Sequence, residues 1–169
     1  MDRKHFLATV GGLGAASFLG MRLGGDAGGS GGGEATGPKP DWKKLLSPQA
    51  YGVLFHEDTE RPFSSPLNNE HRPGTFVCAA CYQPLFDAAA KFDSGTGWPS
   101  FFKPLPGRLA TKRDFLLIVP RTEYHCNHCG GHQGHVFDDG PPPTGLRYCN
   151  NGVALMFIPA GEALPALRG

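Results

Sequence analysis

The chain of 169 residues sets 16 Lys and Arg against 15 Asp and Glu, a formal net charge of +1, which leaves no electrostatic footprint for nucleic acid. The length suits one domain with a real core. Its 25 glycines and 16 prolines point to a loop-rich, mainly β domain. The glycines crowd toward the N-terminus, so the domain proper is poorer in glycine than the total implies.

Met1 to Leu23 has the layout of an export signal, with a short basic start at Arg3-Lys4, then Phe6-Leu7-Ala8-Thr9-Val10 and a weakly apolar run rich in Gly and Ala. Arg3-Lys4-His5-Phe6-Leu7 resembles a twin-arginine signal with lysine in the second basic place. Export to the periplasm is therefore the expectation, with a cytoplasmic tail as the alternative. The run is softened by glycine and ends near Arg22, so it is marginal as a permanent membrane helix. Residues 24–40 read as a flexible linker, since Gly28-Gly29-Ser30-Gly31-Gly32-Gly33 buries nothing worth its ordering entropy. Residues 41–160 read as the domain and 161–169 as a tail.

Ser47-Pro48 predicts an N-cap followed by proline at the first helical position, starting a short helix through about Phe55. Tyr51, Leu54 and Phe55 are its expected packed face. From Thr75 the pattern turns to short strands. Phe115-Leu116-Leu117-Ile118-Val119 and Val153 to Pro159 are continuous apolar runs that read as buried strands. Helical periodicity is nearly absent after Phe55, so the expected fold is two packed antiparallel sheets or a distorted β-barrel with short N-terminal helices.

Four of the five cysteines fall into two Cys-x-x-Cys pairs, Cys78/Cys81 and Cys126/Cys129. Two such pairs suit a single four-thiolate zinc site, one zinc per chain, and two disulfides or a redox dithiol are the competing readings. A closed four-thiolate site has no open position and is structural. His125 and His128, interleaved with the second pair, are expected at the surface. Cys149 is left over. A spare cysteine is most often a small buried hydrophobe, but Arg147 lies two residues before it. In an extended segment the two side chains share a face, and a fixed cation favours thiolate. Upstream, His132 and His135 form a His-x-x-His spacing that suits ligands, a proton donor with its orienter, or polar loop residues.

Several motifs, in order, resemble the methionine sulfoxide reductase B family from about Trp42 to Pro159. They are Thr59-Glu60-Arg61-Pro62-Phe63-Ser64-Ser65-Pro66-Leu67, Cys78-Ala79-Ala80-Cys81, Phe92-Asp93-Ser94-Gly95-Thr96-Gly97-Trp98-Pro99-Ser100-Phe101, Gly134-His135-Val136-Phe137 with Asp139-Gly140-Pro141, and Leu146-Arg147-Tyr148-Cys149 with Asn151. The resemblance implies reduction of the R-sulfoxide of methionine in peptides and proteins. It implies Cys149 as nucleophile, His132 and His135 as proton donor and positioning groups, and a hydrogen bond from Asn151. Trp98 becomes the wall for the substrate methyl group, with Phe137 nearby, and Asp139 a partner that holds Arg147 beside the sulfur. Many relatives carry a resolving cysteine where this chain has Thr96. The implied cycle therefore ends in a Cys149 sulfenic acid reset by an external thiol, either a thioredoxin-like protein or a small molecule. A monomer is expected. The rival readings are a zinc-ribbon binding module without catalysis and a general thiol-disulfide oxidoreductase.

Overall fold

The computed structural model describes residues 40–114 and 121–169. The expected export signal, nearly all of the linker and the apolar run Phe115–Val119 lie outside the described residues. Ser47 does start a helix: its Oγ accepts from Ala50 N at 3.1 Å, and Pro48 occupies the first turn, where a missing N–H costs nothing. This helix, α2 (Pro48–His56), follows a four-residue α1 (Trp42–Leu45), so the N-terminal helices are short and more than one, as expected. Trp42 stacks on Phe55 with ring centroids 5.9 Å apart. Of the expected packed face of α2, Leu54 is buried and Phe55 packs against the core, whereas Tyr51 does not join it. Ala50, Val53 and Leu54 are buried, whereas Tyr51 and Phe55 are only half-buried and pack on each other at 5.5 Å.

The strands are β1 (Gly74–Cys78), β2 (Pro84–Asp87), β3 (Lys91–Phe92), β4 (Ser100–Phe101), β5 (Leu109–Asp114), β6 (Arg121–Cys126), β7 (His132–Phe137), β8 (Arg147–Asn150) and β9 (Leu155–Pro159). They form two antiparallel sheets, of order β2-β1-β9 and β3-β4-β8-β7-β6-β5. The run from Val153 is not one buried strand. Gly152–Ala154 form a 3₁₀ turn, and β9 after Leu155 is half-buried because it is the edge of the smaller sheet, with one flank unpaired.

Aromatic rings join the sheets. Phe76 and Phe86 from the small sheet meet Phe101 and Tyr124 from the large one, all fully buried. Phe86 stacks on Phe101 at 4.1 Å between centroids, and Phe76 meets Phe101 edge-on at 5.0 Å. Each such ring contributes roughly 1.5–3 kcal/mol over its exposed state. Because Phe101 sits on β4 beside β8, this cluster fixes the strand that carries Cys149.

Candidate active site and metal centre

The two cysteine pairs fold as copies of one knuckle. In the first, Tyr82 N donates to Cys78 O and Cys78 N to Gln83 O, both at 2.9 Å; in the second, Gly130 N donates to Cys126 O and Cys126 N to Gly131 O, again at 2.9 Å. Each knuckle turns through a left-handed residue just after its second cysteine, Tyr82 (φ 65°) and Gly130 (φ 74°). The turn aims both sulfurs of a pair inward, and the four Sγ atoms lie within 4.8 Å of one another. Cys78 meets Cys129 at 3.7 Å and Cys81 meets Cys126 at 3.5 Å, too far for a disulfide in either pairing. Side-chain amides face the sulfurs: Gln83 Nε2 lies 3.3 Å from Cys126 Sγ and Gln133 Nε2 lies 3.4 Å from Cys78 Sγ. Donors aimed at sulfur suit thiolates, so the donor set fits a soft tetrahedral metal. His125 and His128 are partly exposed, and neither joins the cluster, as expected. His128 Nε2 instead donates to Gly169 O at 2.9 Å.

The C-terminal residues close over the first knuckle. Arg168 donates from its backbone N to Cys81 O at 3.0 Å and from its guanidinium to Ala79 O at 3.1 Å. The guanidinium lies 3.7 Å above the Tyr82 ring. That contact rationalises a bulky residue at a left-handed position, which the second knuckle fills with glycine.

Strand register assembles the reactive residues. Ser100 pairs with Cys149, Cys149 with His135, His135 with Glu123 and Glu123 with Lys112, so one row crosses the large sheet on one face. The approach of β7 to β8 depends on Gly134, where a Cβ would fall 1.9 Å from Cys149 O. A cavity of about 120 Å³ opens here, lined by Thr59, Trp98, Arg121, Gly134, His135, Phe137, Cys149, Asn150 and Asn151. Cys149, His135, Asn151, Trp98 and Phe137 are thus brought together as the sequence anticipates. Arg147 and Asp139 stand behind them. Arg147 holds both Asp139 oxygens at 2.8 Å, lies 4.3 Å over the Phe137 ring and favours the charged form of the Cys149 sulfur electrostatically. His132 is buried away from the cavity, with Nδ1 2.8 Å from Glu123 Oε1 and its ring 5.5 Å from that of His135.

At Cys149 the Arg147 cation acts in the expected direction, toward thiolate, and burial opposes it. Burial pushes the thiol above its ordinary range, and hydrogen bonds and charge from Arg147 and Thr96 only partly offset that. Desolvation wins over the neighbouring cation, so the resting form at neutral pH is thiol. Burial also lowers His135, against the opposing hydrogen bond from Nε2 to Asp114 Oδ2 at 2.7 Å. His132 is pushed down to about 4 by burial; as a neutral imidazole it donates Nδ1–H to Glu123. Asp139 is held low by Arg147.

Several supporting residues were not singled out from the sequence. Asp114 orients His135 and is itself held by Arg121 at 2.8 Å. Glu123 orients His132 and meets Lys112 at 3.0 Å. Glu60 accepts from Gly152 N at 2.5 Å and Val153 N at 3.0 Å, which pins the segment after Cys149. Asn151 ties that segment to its neighbours, accepting from Glu60 N at 3.1 Å and donating to Gln133 O at 3.1 Å. Gln133 also reaches Asn150, so a buried polar thread runs from Cys78 to both residues that follow Cys149. The available signal for Glu60 and Gln133 was their place inside or beside the dense motifs; Asp114 and Glu123 carried no local signal.

A four-thiol cluster bracing a strand that sets a cysteine opposite a histidine defines a thiol-based site with a metal-type brace. Residues 46–159 match the SelR domain, and the chain belongs to that family. It is 49% identical over 132 residues to the peptide methionine sulfoxide reductase MsrB of Agrobacterium fabrum, covering 75% of this chain and 98% of that protein. It is 52% identical over 119 residues to the protein of the same name from Bradyrhizobium diazoefficiens, covering 70% and 86%. The peptide methionine sulfoxide reductase B1 of Arabidopsis thaliana chloroplasts is 49% identical over 116 residues, covering 68% and 57%.

Proposed function

We propose that this protein reduces methionine sulfoxide in peptides and proteins, with Cys149 as the reacting group. The observation that carries the reading is the register pair His135–Cys149 at a cavity walled by Trp98 and Phe137. The cavity fits one methionine-sized side chain. The sulfoxide methyl packs against Trp98, whose indole donates to Glu60 O at 3.2 Å and so holds its plane. The sulfur of Cys149 attacks the sulfoxide sulfur, and its thiol proton passes by way of His135 to the sulfoxide oxygen. Asn151 has a second Nδ2 hydrogen to offer that oxygen. Oxygen leaves with the enzyme: Cys149 becomes sulfenic acid, oxidised by two electrons, and methionine departs as the thioether. The R-sulfoxide is the epimer we assign.

Reset follows from Thr96. Its hydroxyl neighbours the Cys149 sulfur but forms no disulfide, and the other four cysteines are gathered at the metal-type cluster. An external thiol condenses with the sulfenic acid, releasing water and forming a mixed disulfide that a second thiol opens. Zinc at Cys78, Cys81, Cys126 and Cys129 supplies structural cross-linking of the two knuckles.

Turnover of the separate R and S epimers with dithiothreitol tests the reading. R alone should be consumed; Cys149→Ser should lose turnover while keeping fold and metal. Mass spectrometry after oxidation by substrate without reductant should find sulfenic acid. Turnover surviving Cys149→Ser, or a disulfide from Cys149 to a cluster cysteine with metal released, would sink it. We also infer export, on the basis of Arg3-Lys4-His5-Phe6-Leu7 and the apolar run that follows. Fractionation that finds the chain only in the cytoplasm counts against it.

A further inference from the structure

Phe63 is the most exposed large apolar side chain among the described residues, at 73% of its full surface, and its backbone is left-handed at φ 62°. Either feature alone is uncommon. Together they mean that the chain adopts a disfavoured conformation and gains no burial of the ring in return. The surroundings fix it firmly. Phe63 N donates to Gly97 O at 2.7 Å, and Asn68 Nδ2 donates to the same oxygen at 3.0 Å. A Cβ at Gly97 would come within 2.9 Å of Phe63 Cδ2 and Pro62 Cβ, so glycine there makes room for the display.

The display stands at the cavity. Gly97 immediately precedes Trp98, and the segment that presents Phe63 begins at Thr59, itself part of the lining. Glu60, between them, receives the Trp98 indole hydrogen. At about 120 Å³ the cavity holds one side chain, well below the several hundred Å³ of a pocket for larger ligands. If the methionine sulfoxide reacts inside, its neighbours in a peptide must cross the rim, each within about 3.5 Å of chain per residue.

We infer that Phe63 is a specificity residue that docks an apolar side chain adjacent in sequence to the oxidised methionine. The inference rests on the proposed function, because it takes the cavity to hold methionine sulfoxide. A ring carried on a backbone fixed before binding has only its two side-chain torsions to lose when the partner arrives, so little conformational freedom opposes the contact. The occupant is an apolar residue, since a phenyl ring has no donor or acceptor with which to repay the desolvation of a polar one. Buried methionines are flanked by such residues, so the surface favours oxidised chains that have opened.

The test uses the full chain with dithiothreitol and three substrates: N-acetyl-methionine-R-sulfoxide amide, and hexapeptides with methionine-R-sulfoxide flanked by leucines or by serines. Wild type should show a KM about tenfold lower for the leucine peptide than for the serine peptide. Phe63→Gly suits the left-handed backbone, so it should fold, melt higher than wild type and keep kcat/KM on the capped amino acid. Its preference between the peptides should vanish through KM, and Phe63→Tyr should restore it. Equal peptide preference in wild type and Phe63→Gly overturns the inference, as does a loss spread equally over all three substrates. Failure of wild type to reduce the capped amino acid strikes the functional reading itself, a result separate from either of these.

Discussion

Cys149 stands between two opposing influences, and the one that dominates decides how the protein responds to pH. Burial raises its thiol while Arg147 and Thr96 lower it. A raised thiol is protonated at neutral pH, and its thiolate fraction grows about tenfold per pH unit until the pH passes its pKa. Alkylation of Cys149 by iodoacetamide should therefore climb steeply from pH 7 to beyond 8.5, without a plateau in the neutral range. Arg147→Gln removes the charge that stabilises the thiolate. It should slow alkylation at pH 7.5 about tenfold, the worth of one charged hydrogen bond of about 1.5 kcal/mol, while Phe137 and Asp139 lose a partner. Asp139→Asn tests the arrangement from outside: Arg147 keeps its charge but loses the bidentate grip, so a smaller change is expected. A neutral-pH plateau in the wild type would mean that a reactive thiolate is already present at rest.

At the scale of elements, the site exists because β7 and β8 come close at Gly134. Gly134→Ala would set a methyl group against the Cys149 carbonyl, and backbone cannot give way as a side chain can. The strands must part, at a cost of about 3 kcal/mol. His135 should shift relative to Cys149 by an amount worth about a hundredfold in kcat/KM. Thermal melting and turnover of the variant check both numbers. The same pairing explains what was legible in the sequence. Arg147 beside Cys149 is a two-residue relation, and each Cys-x-x-Cys is a three-residue one, so both could be read locally. Asp114 behind His135 and Glu123 behind His132 depend on which strands pair and in what register, which no local pattern carries. Burial balance was equally hidden: the i, i+2 rule placed guanidinium by sulfur correctly, but the desolvation that outweighs it comes from the packed sheet. The apolar run ending at Pro159 read as interior because hydropathy does not distinguish an edge strand from a central one.

The whole molecule is braced at the cluster. With zinc bound, the two knuckles are joined by a contribution on the order of 10 kcal/mol, as large as the whole stability of many domains. Removing the metal with a strong chelator should therefore lower the melting temperature sharply. Turnover should fall with it, since Gln133 connects Cys78 to Asn150 and Asn151 beside the reacting cysteine. Arg168 guards the first knuckle through two hydrogen bonds and its stack on Tyr82. Replacing it by Ala should speed zinc release to a chromogenic chelator about tenfold, about 1–2 kcal/mol of lost contacts, with little change in the turnover of metal-loaded protein. Release at the wild-type rate would reduce Arg168 to a surface ornament.

That closure has a direction in time. During synthesis Cys129 completes the ligand set, and Arg168 follows 39 residues later. At about 5–20 residues per second the interval is about 2–8 s. The first knuckle also waits for its sheet, because Cys78 pairs with Leu155 of β9, which is made 26 residues after Cys129. A metal that left the folded protein would meet the Arg168 contacts on its return, whereas one that binds before the C-terminal residues dock would not, so first loading and reloading would follow different routes to the same site.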